Sequence, residues 1–155
     1  MLVKRAHDIA VRAHSGQKDK AGHAYIGHAS RVAAYLATSQ GTTMVPPEVV
    51  AAGWLHDVVE DTELTLDDLM GMGLPEDVVG IVEAVTTREG ETALAYASRI
   101  AANPAAVLVK RADLRDNSDS RRMAQLDAET RARLRAKYRQ FMALLDQAVQ
   151  AREAA

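Results

Sequence analysis

The stretch GWLHDVVEDT, residues 53–62, gathers one imidazole and three carboxylates, His56, Asp57, Glu60 and Asp61, into less than two helical turns. Together these groups are the donor set of a divalent metal ion and of general acid–base chemistry. On a helix His56 lies one turn from Glu60, and Asp57 one turn from Asp61. His56 and Asp57 are roughly 100° apart around the axis, so both reach one point only if it lies off the helix between them. Val49, Val50, Ala51, Ala52, Trp54, Leu55, Val58 and Val59 surround them on nearly every side, the pattern of a buried helix. Acids at the C-terminal end, with Glu63 just beyond, oppose the helix dipole. A buried carboxylate costs several kcal/mol unless it is paired. A divalent cation offsets that cost directly. A helix end emerging into solvent accounts for Glu63, but poorly for His56-Asp57 held between Trp54-Leu55 and Val58-Val59.

A metal needs further ligands. His28 follows AYIG at the start of a helix, and Asp113 stands in VLVKRADLRDN three residues after Lys110. His28, His56, Asp57 and Asp113 make a set of two imidazoles and two carboxylates. Such mixed ligation suits Mn²⁺, Fe²⁺ or Zn²⁺ and leaves positions open for water. Taken singly, His28 is also consistent with a hydrogen-bonded core histidine, and Asp113 with a partner of Lys110 or Arg111. His7, His14 and His23 lack ligand spacing; His7 and His14 read as packing or hydrogen-bonding residues of the first helix.

The elements that position these residues are helical by spacing. Helices are expected over about 2–14, 28–39, 47–60, 65–71, in LPEDVVGIVEAVTT with Pro75 in its first turn, over 92–102, from 104 to about 117 or 119, and over 127–151, with SGQKDKAGHAYIG and GTTMVP as loops. Thr65 with Asp68 makes a variant capping box, and Pro47, Pro75 and Pro104 sit in first turns. AVLVK is β-branched enough for a strand but has no partner strand. The expectation is an all-α helical bundle, one domain over 1–155 with its core at about 2–150. The 48% apolar content supports a packed globule rather than disorder. A net charge of −2 gives no electrostatic case for nucleic acid. The absence of cysteine excludes disulfides and thiolate metal sites. With no signal-like N-terminus and no apolar run of about 18 residues, no membrane span and a cytoplasmic location are expected.

Three blocks, AHSGQKDKAGHAYIGHASRVA, AAGWLHDVVEDT and VLVKRADLRDN, carry a resemblance to the HD-domain metal-dependent phosphohydrolases. More narrowly the chain resembles the hydrolase domain of RelA/SpoT-type alarmone enzymes and the stand-alone small alarmone hydrolases. The resemblance implies an all-helical bundle holding one Mn²⁺ and removing pyrophosphate from the 3′ position of (p)ppGpp. It assigns His28, His56, Asp57 and Asp113 to the metal, and Glu60 and Asp61 to the attacking water. Asn117 is assigned to the nucleotide ribose. Lys18, Lys20 and Lys110 are candidates to neutralise substrate phosphates. The KDK segment after GQ is one residue shorter than the family's and lacks its arginine. Two other readings are therefore kept: an HD-type nucleotidase acting on other nucleoside phosphates, and a catalytically idle nucleotide-binding regulator.

Overall fold

The computed structural model describes residues 1–38 and 44–155. Ser39, expected to end a helix, and residues 41–43 of the GTTMVP loop lie outside the described residues. Among the described residues every regular element is a helix, apart from an isolated antiparallel bridge between Lys18 and Ala24. The all-α expectation holds.

Helix α1 (Leu2–Ala13), α2 (Ile26–Thr38) and α3 (Pro47–Leu55) form the first layer. α3 is the central element: α1, α2, α6 (Glu76–Val85) and α8 (Pro104–Asn117) all pack against it. Its apolar residues point in every direction because each side meets a neighbour, and Val49, Ala51, Ala52 and Leu55 are buried. Small side chains on facing helices, Ala6 and Ala10 on α1 and Ala33 on α2, bring the axes close. At Gly53 the approach is tightest. A Cβ there would lie 2.6 Å from Leu36 Cδ1 and 3.4 Å from the Ala33 Cα.

The helix expected over 47–60 is interrupted. α3 ends at Leu55, and the chain resumes as α4 (Val58–Asp61) after Asp57 takes φ −107° and ψ 0°, the sparsely populated region between helix and strand. Apolar spacing runs on through Val58 and Val59, so it conceals the break. The physical gain is convergence, because an unbroken helix holds neighbouring side chains about 100° apart. Here His56 Nε2 comes within 3.0 Å of Asp57 Oδ2.

The remaining elements follow their local signals. α5 (Leu66–Gly71) opens with the expected box, Asp68 N–H donating to the Thr65 hydroxyl and Thr65 N–H to the Asp68 carboxylate. α7 (Ala93–Ala101) is capped by Thr92, and α8 by the Asn103 side chain ahead of Pro104. AVLVK lies inside α8, where the strand alternative ends. A one-turn helix that the sequence reading did not anticipate, α9 (Ser120–Met123), is capped by Asp119 and carries Arg122. α10 (Ala128–Glu153) lies along α7 and α8. It buries Leu134 and Leu145 and rests Tyr138 and Phe141 partly on the core. No described helix is long and apolar enough to cross a membrane.

Candidate metal centre and active site

Two helices, α2 with His28 and α8 with Asp113, and the α3–α4 break with His56 and Asp57 bring the four residues together. One ligand atom from each lies within 4.8 Å of the others. His28 Nε2 is 3.1 Å from His56 Nε2 and 3.0 Å from Asp113 Oδ1. The two imidazoles and Asp113 are at most 4% exposed.

The far nitrogen of each ring fixes which nitrogen is bare. His56 Nδ1 lies 2.8 Å from the Gly53 carbonyl, which can only accept. His28 Nδ1 lies 2.6 Å from Asp116 Oδ2. Both Nδ1 atoms therefore carry hydrogen, and both Nε2 lone pairs face the same small space. Two lone pairs that close repel unless positive charge, a proton or a metal ion, lies between them. Burial opposes that charge, but Asp57, Asp113 and Asp116 overcome it and push both rings towards holding it. The donor set thus fits a divalent metal ion, with the outer hydrogen bonds that orient ligand histidines.

Asp116 is fully buried and was not singled out in the sequence. Besides His28 it accepts from Arg31 Nε at 2.7 Å and Arg122 at 2.7 Å. Its signal was positional: it follows Asp113 by three residues and precedes Asn117, on one face of α8. Tyr25 was also missed; its hydroxyl donates to Asp57 Oδ2.

Burial works against the charge on Asp57, but His56 and the Tyr25 hydroxyl hold its carboxyl at about 2. Burial likewise opposes ionisation of Asp113, and Lys110 with the two imidazoles overcomes it, holding the carboxyl well below its ordinary range. Lys110 donates to Asp113 Oδ2 at 2.8 Å, and Asn117 to Asp113 Oδ1 at 2.8 Å. Both residues, expected among the substrate contacts, thus also brace a metal ligand. The alternative pairing of Asp113 with Lys110 and its place in the ligand cluster are both present.

Glu60 and Asp61 stand at the rim, on α4. Glu60 Oε1 accepts from the backbone N–H and the hydroxyl of Thr87, each at 2.7 Å. The Asp61 carboxyl is raised, chiefly by partial burial and then by repulsion from Asp57 and Glu60; nearby His14 and His56 act the other way. The centre opens into a cavity of about 650 Å³ reached by Lys18, Lys20, Tyr96, Lys137, Tyr138 and Phe141. That volume lies in the range of small-molecule sites. Of the other histidines, His7 packs edge-on to Trp54 at 4.7 Å, and His23 Nε2 meets Gln125 at 2.5 Å.

The fold and the donor set define a helical metal-binding domain. The HD-domain family model matches residues 6–139, and the chain belongs to the HD-domain family, whose members bind divalent metals. It is 36% identical to a GTP pyrophosphokinase of Streptomyces coelicolor over 72% of this chain and 14% of that protein. It is 33% identical to a guanosine-3′,5′-bis(diphosphate) 3′-pyrophosphohydrolase of Aquifex aeolicus over 74% of this chain and 17% of that protein. The chain thus spans less than a fifth of these relatives. Among solved structures, it superposes with a TM-score of 0.70 on a metazoan ortholog of SpoT described as hydrolysing ppGpp. That match covers 97% of this chain and 95% of the other at 24% identity, a likeness of fold.

Proposed function

We propose that residues 1–155 act as one hydrolase unit that removes the 3′-pyrophosphate of (p)ppGpp or a related 3′-phosphorylated nucleotide with Mn²⁺. The observation that carries this reading is the convergence of four ligand atoms within 4.8 Å at the floor of a nucleotide-sized cavity. Relatives with matching activities in their names support the substrate.

His28, His56, Asp57 and Asp113 hold the ion. A bound divalent cation supplies Lewis acidity, making water a stronger acid and offsetting phosphate charge. Thr87 fixes the Glu60 carboxylate, which orients the attacking water. Asp61, its carboxyl already raised, accepts the proton from that water at a carboxylate oxygen. Lys18 and Lys20, exposed on the loop over the cavity, meet the substrate's phosphates. Asn117 lines the cavity, and its Oδ1, which accepts from Arg122 at 3.3 Å, is the atom offered to a ribose hydroxyl.

The test is a nucleotide panel with Mn²⁺, reading pyrophosphate against orthophosphate. Pyrophosphate released from ppGpp is the expected outcome. One observation favours a second reading, a nucleotidase on other nucleoside phosphates: the loop's Asp19 is taken up by Arg122 at 3.2 Å, and the loop offers no arginine of its own. A clear preference for substrates without a 3′-phosphate would establish it. Bound metal with no turnover on any nucleotide would leave a regulator that only binds.

A further inference from the structure

His14 ends α1 and is 2% exposed, yet it belongs to neither the ligand set nor the rim acids. Its Nδ1 lies 2.8 Å from Gln17 Oε1. Gln17 Nε2 in turn donates to the Asp61 carbonyl at 2.9 Å. The amide oxygen is therefore the end turned to His14, and it can only accept. His14 Nδ1 carries the hydrogen, and Nε2 is a bare lone pair. Among the described residues, Nε2 is a buried side-chain nitrogen with no hydrogen-bond partner. An acceptor buried in this way is costly to leave unpaired, and it calls for an ordered water or a role in chemistry.

The neighbours narrow the choice. The His14 ring packs on Tyr25 at 4.9 Å between centroids. The Tyr25 hydroxyl donates to Asp57, so its single hydrogen is engaged. Asp61 is tied to this pocket by its backbone carbonyl, on Gln17, and its carboxyl lies near enough for the His14 ring to act on it. An ionised carboxylate has no hydrogen to offer Nε2. A water does, and so does Asp61 once it has been protonated during turnover.

We infer that His14 is the receiving end of a proton path from Asp61, linked to it by one bridging water. The inference rests on the hydrolase reading above. The attacking water gives a proton to the Asp61 carboxylate as its oxygen bonds to phosphorus and the bond from phosphorus to the ribose 3′ oxygen breaks, that oxygen taking a proton from solvent. The carboxyl O–H then breaks towards the bridging water, which passes one of its own hydrogens to His14 Nε2. The carboxylate is restored, and the imidazolium keeps its Nδ1–H on Gln17 until Nε2 returns the proton to solvent. His14 acts through Asp61 and touches no substrate atom. It is a positioning and relay residue.

The experiment uses the full chain with Mn²⁺ and ppGpp. His14→Gln, which keeps a polar side chain but no base, is expected to lower kcat roughly 10²-fold, with KM within about twofold. Its bound metal should match the wild type. His14→Gly should regain rate with added imidazoles, and the regained rate should rise with the basicity of the imidazole, which a merely space-filling ligand does not produce. In the wild type, ¹⁵N spectra should show the Nδ1–H tautomer, a measurement that stands even where a variant fails to fold. An Nε2–H tautomer overturns the inference. So do an unchanged kcat in folded His14→Gln and a rescue indifferent to basicity. A wild type without turnover on any nucleotide ends the hydrolase reading and this path together, whereas an active wild type with indifferent His14 variants ends the path alone.

Discussion

The cavity has two ends built on opposite principles. At the metal end, His28, His56, Asp113 and Asp116 are buried, and hydrogen bonds assign each donor and acceptor. At the open end, Lys18, Lys20 and Lys137 are exposed and make no ion pair among the described residues. Tyr138 and Phe141 offer partly buried aromatic faces there. Charges locked in a low-dielectric interior hold their geometry strictly, because any misplacement leaves one unpaired. Solvated lysines attract any phosphate and discriminate little. Under the proposed function, the first end sets the reaction type and the second leaves substrate choice adjustable.

The largest effect should come from the doublet. His56→Ala and Asp57→Ala are each expected to abolish Mn²⁺ binding and reduce pyrophosphate release to background. Activity surviving in both would remove the metal end from the chemistry. Next is Asp116→Asn, which keeps the shape but weakens the grip on His28 Nδ1. Mn²⁺ affinity by calorimetry should fall roughly 10–100-fold; an unchanged affinity would show that the second layer does not tune the first.

Gly53→Ala tests whether helix spacing sets the metal end. Its Cβ meets Leu36 and the α2 backbone, so urea unfolding should show a loss of about 1–3 kcal/mol, and an unaltered midpoint would refute the close fit. At the open end, Lys20→Ala or Lys137→Ala should raise KM roughly 2–5-fold with kcat unchanged. A fall in kcat instead would place that lysine in the chemical step and erase the contrast between the ends.

The smallest effect concerns the segment that carries Thr87. Arg99 ties it down through Glu91 at 2.8 Å and through the carbonyls of Glu83, Ala84 and Thr86. The Arg99 hydrogen bond holds the Glu91 carboxyl below its usual 4.5. The resulting stabilisation is complete above that value and is lost as pH falls through the lowered one. Glu91→Gln should therefore be less stable than wild type at pH 7, with the gap closing as pH falls below the ordinary carboxylate range. A gap independent of pH would mean that the ion pair adds nothing beyond packing.

The same contrast explains what could be read beforehand. Helix placement was legible because caps and prolines at Thr65, Pro47, Pro75 and Pro104 act locally. His56 and Asp57 stood out as polar groups in apolar surroundings, whereas His28 and Asp113, each also consistent with a plainer role, were assigned through the family resemblance. Asp116 did not stand out, because its partners Arg31 and Arg122 are distant in sequence and it sits among other charges. The α3–α4 break was hidden because apolar periodicity does not register a change in a single pair of dihedrals. α9 was hidden by its arginines. Lys110 was legible both as a candidate for substrate phosphates and as a partner of Asp113. It pairs with Asp113, and its position 5.6 Å from the centre of the Tyr96 ring was not legible, because that ring is distant in sequence.

Stopping α3 at Leu55 has a consequence for protonation. A helix leaves its last carbonyls without backbone donors, and the one at Gly53 is taken by the His56 ring. Had the coil continued, that oxygen would have served the ladder of amides, and nothing would have told the imidazole which nitrogen to keep hydrogenated. The interruption thus selects the tautomer of the very residue that follows it, so shape and proton inventory at this corner are inherited as a single trait.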